Sequence, residues 1–322
     1  MNLFICTQTV NSHDPILGFF VPWIHGFAQQ CDTVTVVCLN KGADRFAENV
    51  RIIVIPAKGK IARTLFLLRT SITHRKDYEA VLVHMNPEYF ISAGFLWRFL
   101  RKRTALWYTH STVDWKLRIA TAFAQVVFTA SKESFRLPSD KVCVTGHGID
   151  THFFHPDSAV VRGRTVLSVG RLSPVKRHDL VIRAAACDAL DVKTIGDGTE
   201  HDRLARLAEE LQVAHRITFC GSETQEVLRR EYQQARALVH TSETGSLDKV
   251  VLEALACGLP VVTTSTILSD LPVVVVAPTP EAIAESLRSL TGTGDAARAA
   301  YVQEHHSLER LVPQLVAKLE TL

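Results

Sequence analysis

The sequence predicts an α/β protein built from two doubly wound parallel sheets, and three observations carry that expectation. Short β-branched runs alternate with helical patterns almost from end to end, as stacked βαβ units require. The chain of 322 residues exceeds one ordinary domain and fits about two. Charge divides it in the same way: residues 1–155 hold 18 Lys and Arg against 11 Asp and Glu, net +7, and the remainder holds 18 against 22, net −4. A basic first half joined to an acidic second half marks two units with different partners.

Taken in order, strands are expected in the first half at Leu3–Thr7, Thr33–Leu39, Arg51–Ile55, Ala80–His84, Thr104–Tyr108, Val126–Thr129 and Lys141–Val144. Helices fill the gaps, among them an unusually apolar one over Leu17–Phe27 and another over Pro87–Leu100. The stretch His155–Arg164 is polar, carries Pro and Gly and lacks periodicity, so it reads as the linker, with domains at 1–156 and 157–306. Alternation restarts with strands at Thr165–Val169, Val192–Ile195, Arg216–Phe219, Ala237–His240, Pro260–Thr264 and Pro272–Val276. Thr199 with Asp202, and Ser222 with Gln225, have capping-box spacing. Thr279-Pro280 supplies a cap and an N1 proline for the helix that follows. Residues 307–322 place Leu308, Leu311, Val312, Leu315, Val316 and Leu319 at helical spacing, which predicts an amphipathic helix packing back on the first domain.

Composition narrows the class. Apolar content of 47% and charged content of 21% belong to a core-forming globular protein. The seven cysteines are scattered without CxxC spacing, so they read as reduced core residues of a cytoplasmic protein and not as zinc ligands. Met1-Asn-Leu-Phe-Ile-Cys6 reads directly as a first strand, and no signal peptide is expected. No apolar run approaches the roughly 20 residues that span a bilayer, so any membrane contact is expected to be peripheral.

Two segments carry chemistry. In Leu167-Ser-Val-Gly-Arg-Leu-Ser-Pro-Val-Lys176 a strand ends in Gly170, Arg171 stands at its mouth, and Ser173-Pro174 opens a helix. Arg171 and Lys176 thereby lie across a strand-to-helix turn at the carboxyl edge of a parallel sheet, where open α/β folds bind ligands. Two cations beside a helix N-terminus suit a diphosphate. In residues 244–262 (TGSLDKVVLEALACGLPVV) a small-residue loop leads into a helix, a Gly258 stop and a buried strand. Gly245 and Ser246 open the backbone N–H groups at the helix start to a ligand. Glu253, one and a half turns in, borders an apolar face and needs a partner, for which the vicinal diol of a ribose is suited.

With these segments in hand, the chain resembles the family-4 glycosyltransferases of the GT-B fold. The resemblance rests on GRLSPVKRHD, GDGTEHDRL (196–204), ITFCGS (217–222), LEALACGLPVV (252–262) and GHGIDTHFFHP (146–156), and covers nearly the whole chain. It implies two Rossmann-like doubly wound domains facing each other across a cleft. It also implies retaining transfer of a sugar from a nucleotide diphosphate sugar (UDP- or GDP-sugar), with no metal and no other cofactor. Position by position, Arg171 and Lys176 match the diphosphate-binding cations, Glu253 the ribose carboxylate and Gly18 the small residue that admits the diphosphate. His110, in Trp107-Tyr-Thr-His, matches the histidine near the transferred sugar.

One departure stands out. The family carries a second glutamate eight residues before the ribose carboxylate, and here that position is Gly245, with Glu243 two residues too early. Asp248 and Lys249 replace a glycine and an apolar residue. The variant resembles a branch of bacterial members. The backbone N–H groups of Ser246, Leu247, Asp248 and Lys249 are expected to hold the sugar hydroxyls instead, with Gly170 at the turn beneath them. No nucleophilic carboxylate is placed for double displacement, so same-face attack is expected, with His110 orienting the sugar. His84, at a strand end, and Asp14, in the loop before the first helix, are acceptor-side candidates.

The acceptor is expected to be a glycan or a lipid-linked molecule in cell-surface polysaccharide or glycoconjugate synthesis. Residues 58–76 hold six cations and no acid, with Leu65, Phe66, Leu68 and Ile72 as an apolar stripe, and Arg98, Arg101, Lys102 and Arg103 add a second basic cluster. A basic amphipathic helix suits the anionic inner face of a membrane. No aromatic-interleaved basic groove points to nucleic acid. Two other functions share the features: a non-hydrolysing sugar-nucleotide epimerase and a non-catalytic nucleotide-sugar-binding subunit.

Overall fold

The computed structural model describes residues 1–56, 58–110, 112–290 and 295–322. The chain forms two compact units, Met1–Gly148 with Leu308–Leu322, and Ile149–Ser307. The division falls at Gly148/Ile149 and not at 156/157. The Ile149 N–H donates to His306 O at 2.8 Å and Ile149 bridges Ser307, while Phe154 packs in one cluster with Tyr232. Those contacts assign 149–156 to the second unit. The following stretch, 157–164, carries no helix or strand.

The strands of the first unit are β1 (Asn2–Cys6), β2 (Thr9–Val10), β3 (Thr33–Cys38), β4 (Asn40–Lys41), β5 (Val50–Val54), β6 (Ala80–His84), β7 (Arg103–Trp107), β8 (Val126–Thr129) and β9 (Val142–Val144). Seven of them form a parallel sheet in the order β5-β3-β1-β6-β7-β8-β9, and β2 pairs separately with β4. Burial on both faces explains the continuous apolar strands. Leu3 and Ile5 face a cluster with Phe20, Trp23, Phe27, Leu311 and Leu315, whereas Phe4 and Cys6 face Phe90, Trp97 and Leu106. The apolar helix begins later than expected, at Phe20–Gln30, because Asp14 and Gly18 shape a turn ahead of it. The terminal helix Leu308–Glu320 packs its buried face, Leu311, Val312, Leu315, Val316 and Leu319, on this unit.

The second unit contains β10 (Val166–Val169), β11 (Val192–Ile195), β12 (Ile217–Gly221), β13 (Ala237–His240), β14 (Val261–Thr263) and β15 (Val274–Val275). They form a parallel sheet in the order β12-β11-β10-β13-β14-β15. Strand order therefore reverses between β10 and β13, and a crevice at such a switch point is where open α/β sheets bind ligands. Pairing between these two strands runs only over Val166↔Ala237 and Leu167↔Leu238.

Two caps differ from expectation. Helix His201–Glu210 has Glu200 at its N-cap without a side-chain cap, so Thr199 caps nothing. Helix Gln225–Gln234 is capped by Thr224, whose hydroxyl accepts from Val227 N–H, and not by Ser222. Thr279 caps Pro280–Ser289 as expected. All seven cysteines are free; Cys6, Cys31, Cys38 and Cys257 are buried and Cys187 is exposed.

Candidate functional site

The site is built at the switch point of the second unit. β10 ends at Gly170 (φ 147°), whose N–H donates to Ile195 O at 2.9 Å. The loop Gly196-Asp-Gly198 backs this turn so closely that neither glycine tolerates a side chain. A Cβ on Gly196 would lie 2.0 Å from Gly170 O, and one on Gly198 would lie 2.2 Å from Leu172 O. Leu172 N–H donates to Asp197 O and Glu200 N–H to Leu172 O, which locks turn and loop together. A 3-10 turn, Pro174–Lys176, follows, then Arg177 in the left-handed region (φ 50°), then helix His178–Asp188.

Arg171 is exposed, and among the described residues its guanidinium makes no ion pair or hydrogen bond. Its backbone is held from below by His178. The imidazole Nε2 reaches Arg171 O at 3.2 Å and Nδ1 reaches Ser168 Oγ at 2.7 Å. A carbonyl only accepts, so Nε2 carries the proton and Nδ1 accepts from the Ser168 hydroxyl. Burial pushes His178 down to about 4, which keeps it neutral at physiological pH and suits that tautomer.

Lys176 is placed differently from Arg171. Its ammonium contacts Asp248 Oδ2 at 2.5 Å, and His240 Nε2 reaches the same oxygen at 2.8 Å. Burial works against the charge of Asp248, but the hydrogen bond from His240 and the charge of Lys176 outweigh it and hold the carboxyl well below the usual carboxylate range. The loop from β13 is stitched to the turn. Thr241 Oγ1 donates to the carbonyls of Lys176 and Arg177, Glu243 N–H donates to Val175 O, and Arg177 pairs with Glu243. Glu243, too early for the family position, thus serves Arg177.

Gly245 adopts φ 62°, and Ser246 Oγ donates to Thr244 Oγ1 at 3.1 Å. Leu247 is partly buried against the apolar cluster of this unit. Asp248 and Lys249 lead into helix Lys249–Ala256, whose first N–H groups point out of its N-terminus. Glu253 is placed deeper than a ribose-chelating carboxylate on an open flank would be, at 1% exposure. Lys249 Nζ donates to its Oε1 at 2.7 Å, and Tyr232 Oη donates to its Oε2 at 3.3 Å. The partner that its apolar surroundings demand is supplied from within the protein.

The first-unit candidates fare unevenly. Gly18 is buried, and a Cβ there would meet Ser12 O at 2.5 Å and Asp14 O at 2.6 Å, so the loop itself requires glycine. Asp14 Oδ1 accepts from the N–H groups of Ile16 and Leu17 and builds the same turn. His110 is exposed, and its Nδ1 accepts from Thr112 N–H at 3.1 Å, which leaves Nε2–H as an outward donor. His84 is not open to an acceptor. It is buried, stacked on Phe20 at 3.9 Å between centroids and flanked by Phe19 and Trp23, and burial lowers it to about 3. Its place at a strand end was legible, but not the aromatic helix that covers it.

Sequence reasoning passed over His178, Ser168, His240, Thr263 and Tyr232. The signal that could have found them is a polar residue inside an otherwise buried strand or helix face, which has to find a partner. Among the described residues no group of three or more His, Cys, Asp or Glu is placed to hold a metal ion, and no helix is long and apolar enough to cross a membrane.

Two Rossmann-like units, the second with a cationic turn at its switch point, define the class as the GT-B fold. HepE from Anabaena in complex with UDP shares it with a TM-score of 0.78 at 16% identity, over 100% of both chains. Sucrose-phosphate synthase from Thermosynechococcus elongatus does so with 0.78 at 15%, covering 100% of this chain and 99% of that one. WaaG, a glycosyltransferase involved in lipopolysaccharide biosynthesis, scores 0.71 at 15%, covering 98% and 99%. At such identities the likeness is one of fold. Residues 153–298, somewhat under half of the chain, match the model described as Glycosyl transferases group 1. D-inositol 3-phosphate glycosyltransferase of Mycobacterium sp. (strain JLS) is 35% identical over 151 residues, 42% of this chain and 34% of that protein. The Frankia alni enzyme of the same name is 35% identical over 146 residues, 38% and 36% respectively. The chain spans about a third of the length of the curated relatives it matches. The neighbours share the GT-B fold over the whole chain, and the sequence match lies within the second unit.

Proposed function

We propose that this chain is a retaining, metal-independent glycosyltransferase of family 4, of the TGSLDKVVLEA variant, using a UDP- or GDP-sugar. The acceptor is a glycan or lipid-linked molecule in cell-surface polysaccharide or glycoconjugate synthesis. The observation that carries the proposal is the exposed guanidinium of Arg171 on a glycine-backed turn, with the ammonium of Lys176 five residues on, both at the switch point of the second unit. HepE is solved with UDP and with UDP and glucose, which supports a nucleotide-sugar donor.

In the reaction the bond between the anomeric carbon and the phosphate oxygen breaks, and its electron pair leaves with the diphosphate. Arg171 and Lys176 bind that growing charge more tightly as it departs, which lowers the barrier. The acceptor oxygen bonds to the anomeric carbon on the same face and passes its proton to the departing phosphate oxygen. Gly245 and the N–H groups of Ser246, Leu247, Asp248 and Lys249 hold sugar hydroxyls, Glu253 with Lys249 lies beneath the ribose, and His110 orients the sugar through Nε2–H.

A thermal-shift panel of nucleotide diphosphate sugars tests the donor. A true donor at 100 times its Kd stabilises by about 2.7 kcal/mol through mass action. One base series is expected to raise Tm with or without EDTA; a flat panel contradicts the proposal, and a shift abolished by EDTA contradicts metal independence.

The chain is proposed to act at the inner face of a membrane. Helix Lys60–Thr73 exposes Ile61, Leu65 and Ile72, and the packed neighbour Glu88–Phe99 exposes Phe95 and Phe99, the last by 82%. Phe66 and Leu68, expected on the same stripe, pack inward instead. Lys58, Lys60, Arg69, Arg98 and Arg101 surround these apolar groups in sequence. Co-sedimentation with anionic vesicles at low salt is expected, together with its loss in Phe95→Ser/Phe99→Ser. Equal pelleting of the double variant contradicts it.

A further inference from the structure

We infer that Asp248 and His240 are positioning residues for Lys176, an assignment that rests on the glycosyl-transfer function proposed above. Side chains from two separate segments converge on one carboxylate oxygen of a third. Lys176 comes from the 3-10 turn after β10, His240 from the last position of β13, and Asp248 from the residue ahead of helix Lys249–Ala256. Lys176 Nζ lies 2.5 Å and His240 Nε2 2.8 Å from Asp248 Oδ2. The chain of contacts continues inward: His240 Nδ1 meets Thr263 Oγ1 at 3.0 Å, and Thr263 Oγ1 accepts from Ser265 N–H at 3.1 Å. The side chains are 19%, 15% and 4% exposed for Lys176, Asp248 and His240.

Asp248 occupies the N-cap of its helix yet makes no side-chain cap hydrogen bond. An aspartate at that position ordinarily accepts from an N–H of the first turn. Here one of its oxygens is committed to Lys176 and His240, and the other receives only a 3.4 Å contact from Ser246 Oγ. The helix forgoes a cap so that the carboxylate can hold the ammonium. An ammonium carries three donors, and one contact with Asp248 leaves two for a phosphate. Lysine on its flexible stem otherwise loses rotamer freedom when it binds, and an anchored ammonium has already lost it.

A carboxylate next to a diphosphate site also repels the ligand, so positioning and repulsion predict opposite results when it is removed. The test uses Asp248→Asn, His240→Ala and His240→Gln, with UDP release from UDP-glucose and GDP release from GDP-mannose measured at varied donor, alongside Tm. Positioning predicts that D248N loses about tenfold or more in kcat, with donor KM unchanged or lower, as when an interaction made only in the transition state is removed. His240→Ala is expected to lose kcat likewise. His240→Gln is expected to recover much of it, because its Nε2–H can replace the imidazole donor.

Wild-type kcat in D248N overturns the inference, as does tighter donor binding with higher kcat/KM, which would make Asp248 only a repulsive charge. Equal kcat in both His240 variants with a change in Tm alone also overturns it. If D248N does not fold, the two His240 variants decide. Wild-type protein that releases nucleotide from neither of these donors nor from any nucleotide sugar that raises its Tm contradicts glycosyl transfer itself, whereas an active wild type with an unaffected D248N contradicts only the positioning role.

Discussion

Arg171→Ala is expected to lower kcat roughly 100- to 1,000-fold, the usual cost of removing one donor to a charge that grows in the transition state. Tm is expected to stay near the wild-type value. Arg171 projects from the turn, and what holds that turn is backbone: Leu172 to Asp197, Glu200 to Leu172, and His178 on the Arg171 carbonyl. None of these needs the guanidinium. The variant therefore separates function from folding cleanly, and steady-state kinetics at saturating donor reads it. Near-normal turnover removes Arg171 from the chemistry. Arg171→Lys is expected to recover only part of the rate, because an ammonium cannot offer the planar fork that a guanidinium presents to phosphate oxygens.

Gly196→Ala is the second large effect, and here folding and function fail together. The residue sits at φ 140°, and its added methyl would lie 2.0 Å from Gly170 O and 2.7 Å from Gly170 C. Backbone strain of about 1–3 kcal/mol adds to overpacking of about 1–3 kcal/mol. For a unit of this size a loss of about 3 kcal/mol lowers Tm by roughly 6–12 °C. The carbonyl that must retreat belongs to the residue before Arg171, so donor affinity is expected to fall as well. Gly221→Ala is the control. It too has positive φ (72°), but a Cβ there meets nothing within 4 Å, so only the conformational cost remains. Equal Tm for G196A and G221A would show that the GDG loop does not support the turn.

Much of the fold was legible because parallel strands buried on both faces are read directly as β-branched runs. Ala80–His84, Val126–Thr129, Val192–Ile195 and Ala237–His240 fall where periodicity puts them. Capping was less legible. Thr199 and Ser222 have the right spacing, yet the structure caps one helix with Thr224 and leaves the other without a side-chain cap. Local spacing does not say where the chain turns. The unit boundary moved because Ile149 bonds to His306, far along the chain, a pairing that no local pattern encodes.

The site shows the same division. The glycine-backed turn, Arg171, Lys176 and the loop into Lys249–Ala256 were visible as motifs. Their partners were not. Glu253 looks like an accessible helix flank until Tyr232, on another helix, is placed over it. His240 looks like the end of a buried strand until Asp248 and Thr263 meet its two nitrogens. His84 looks like a sheet-edge ligand until Phe19, Phe20 and Trp23 close around it. In each case the missing information is a long-range contact that decides whether a polar group faces a ligand or a neighbour.

Whether the two cations grip a diphosphate is decided by a crystal structure of the protein with the nucleotide sugar that gives the largest thermal shift. Diphosphate oxygens are expected within hydrogen-bonding distance of the Arg171 guanidinium and the Lys176 ammonium, at the mouth between β10 and β13. A nucleotide seated elsewhere, with both cations pointing away from its phosphates, would contradict that grip.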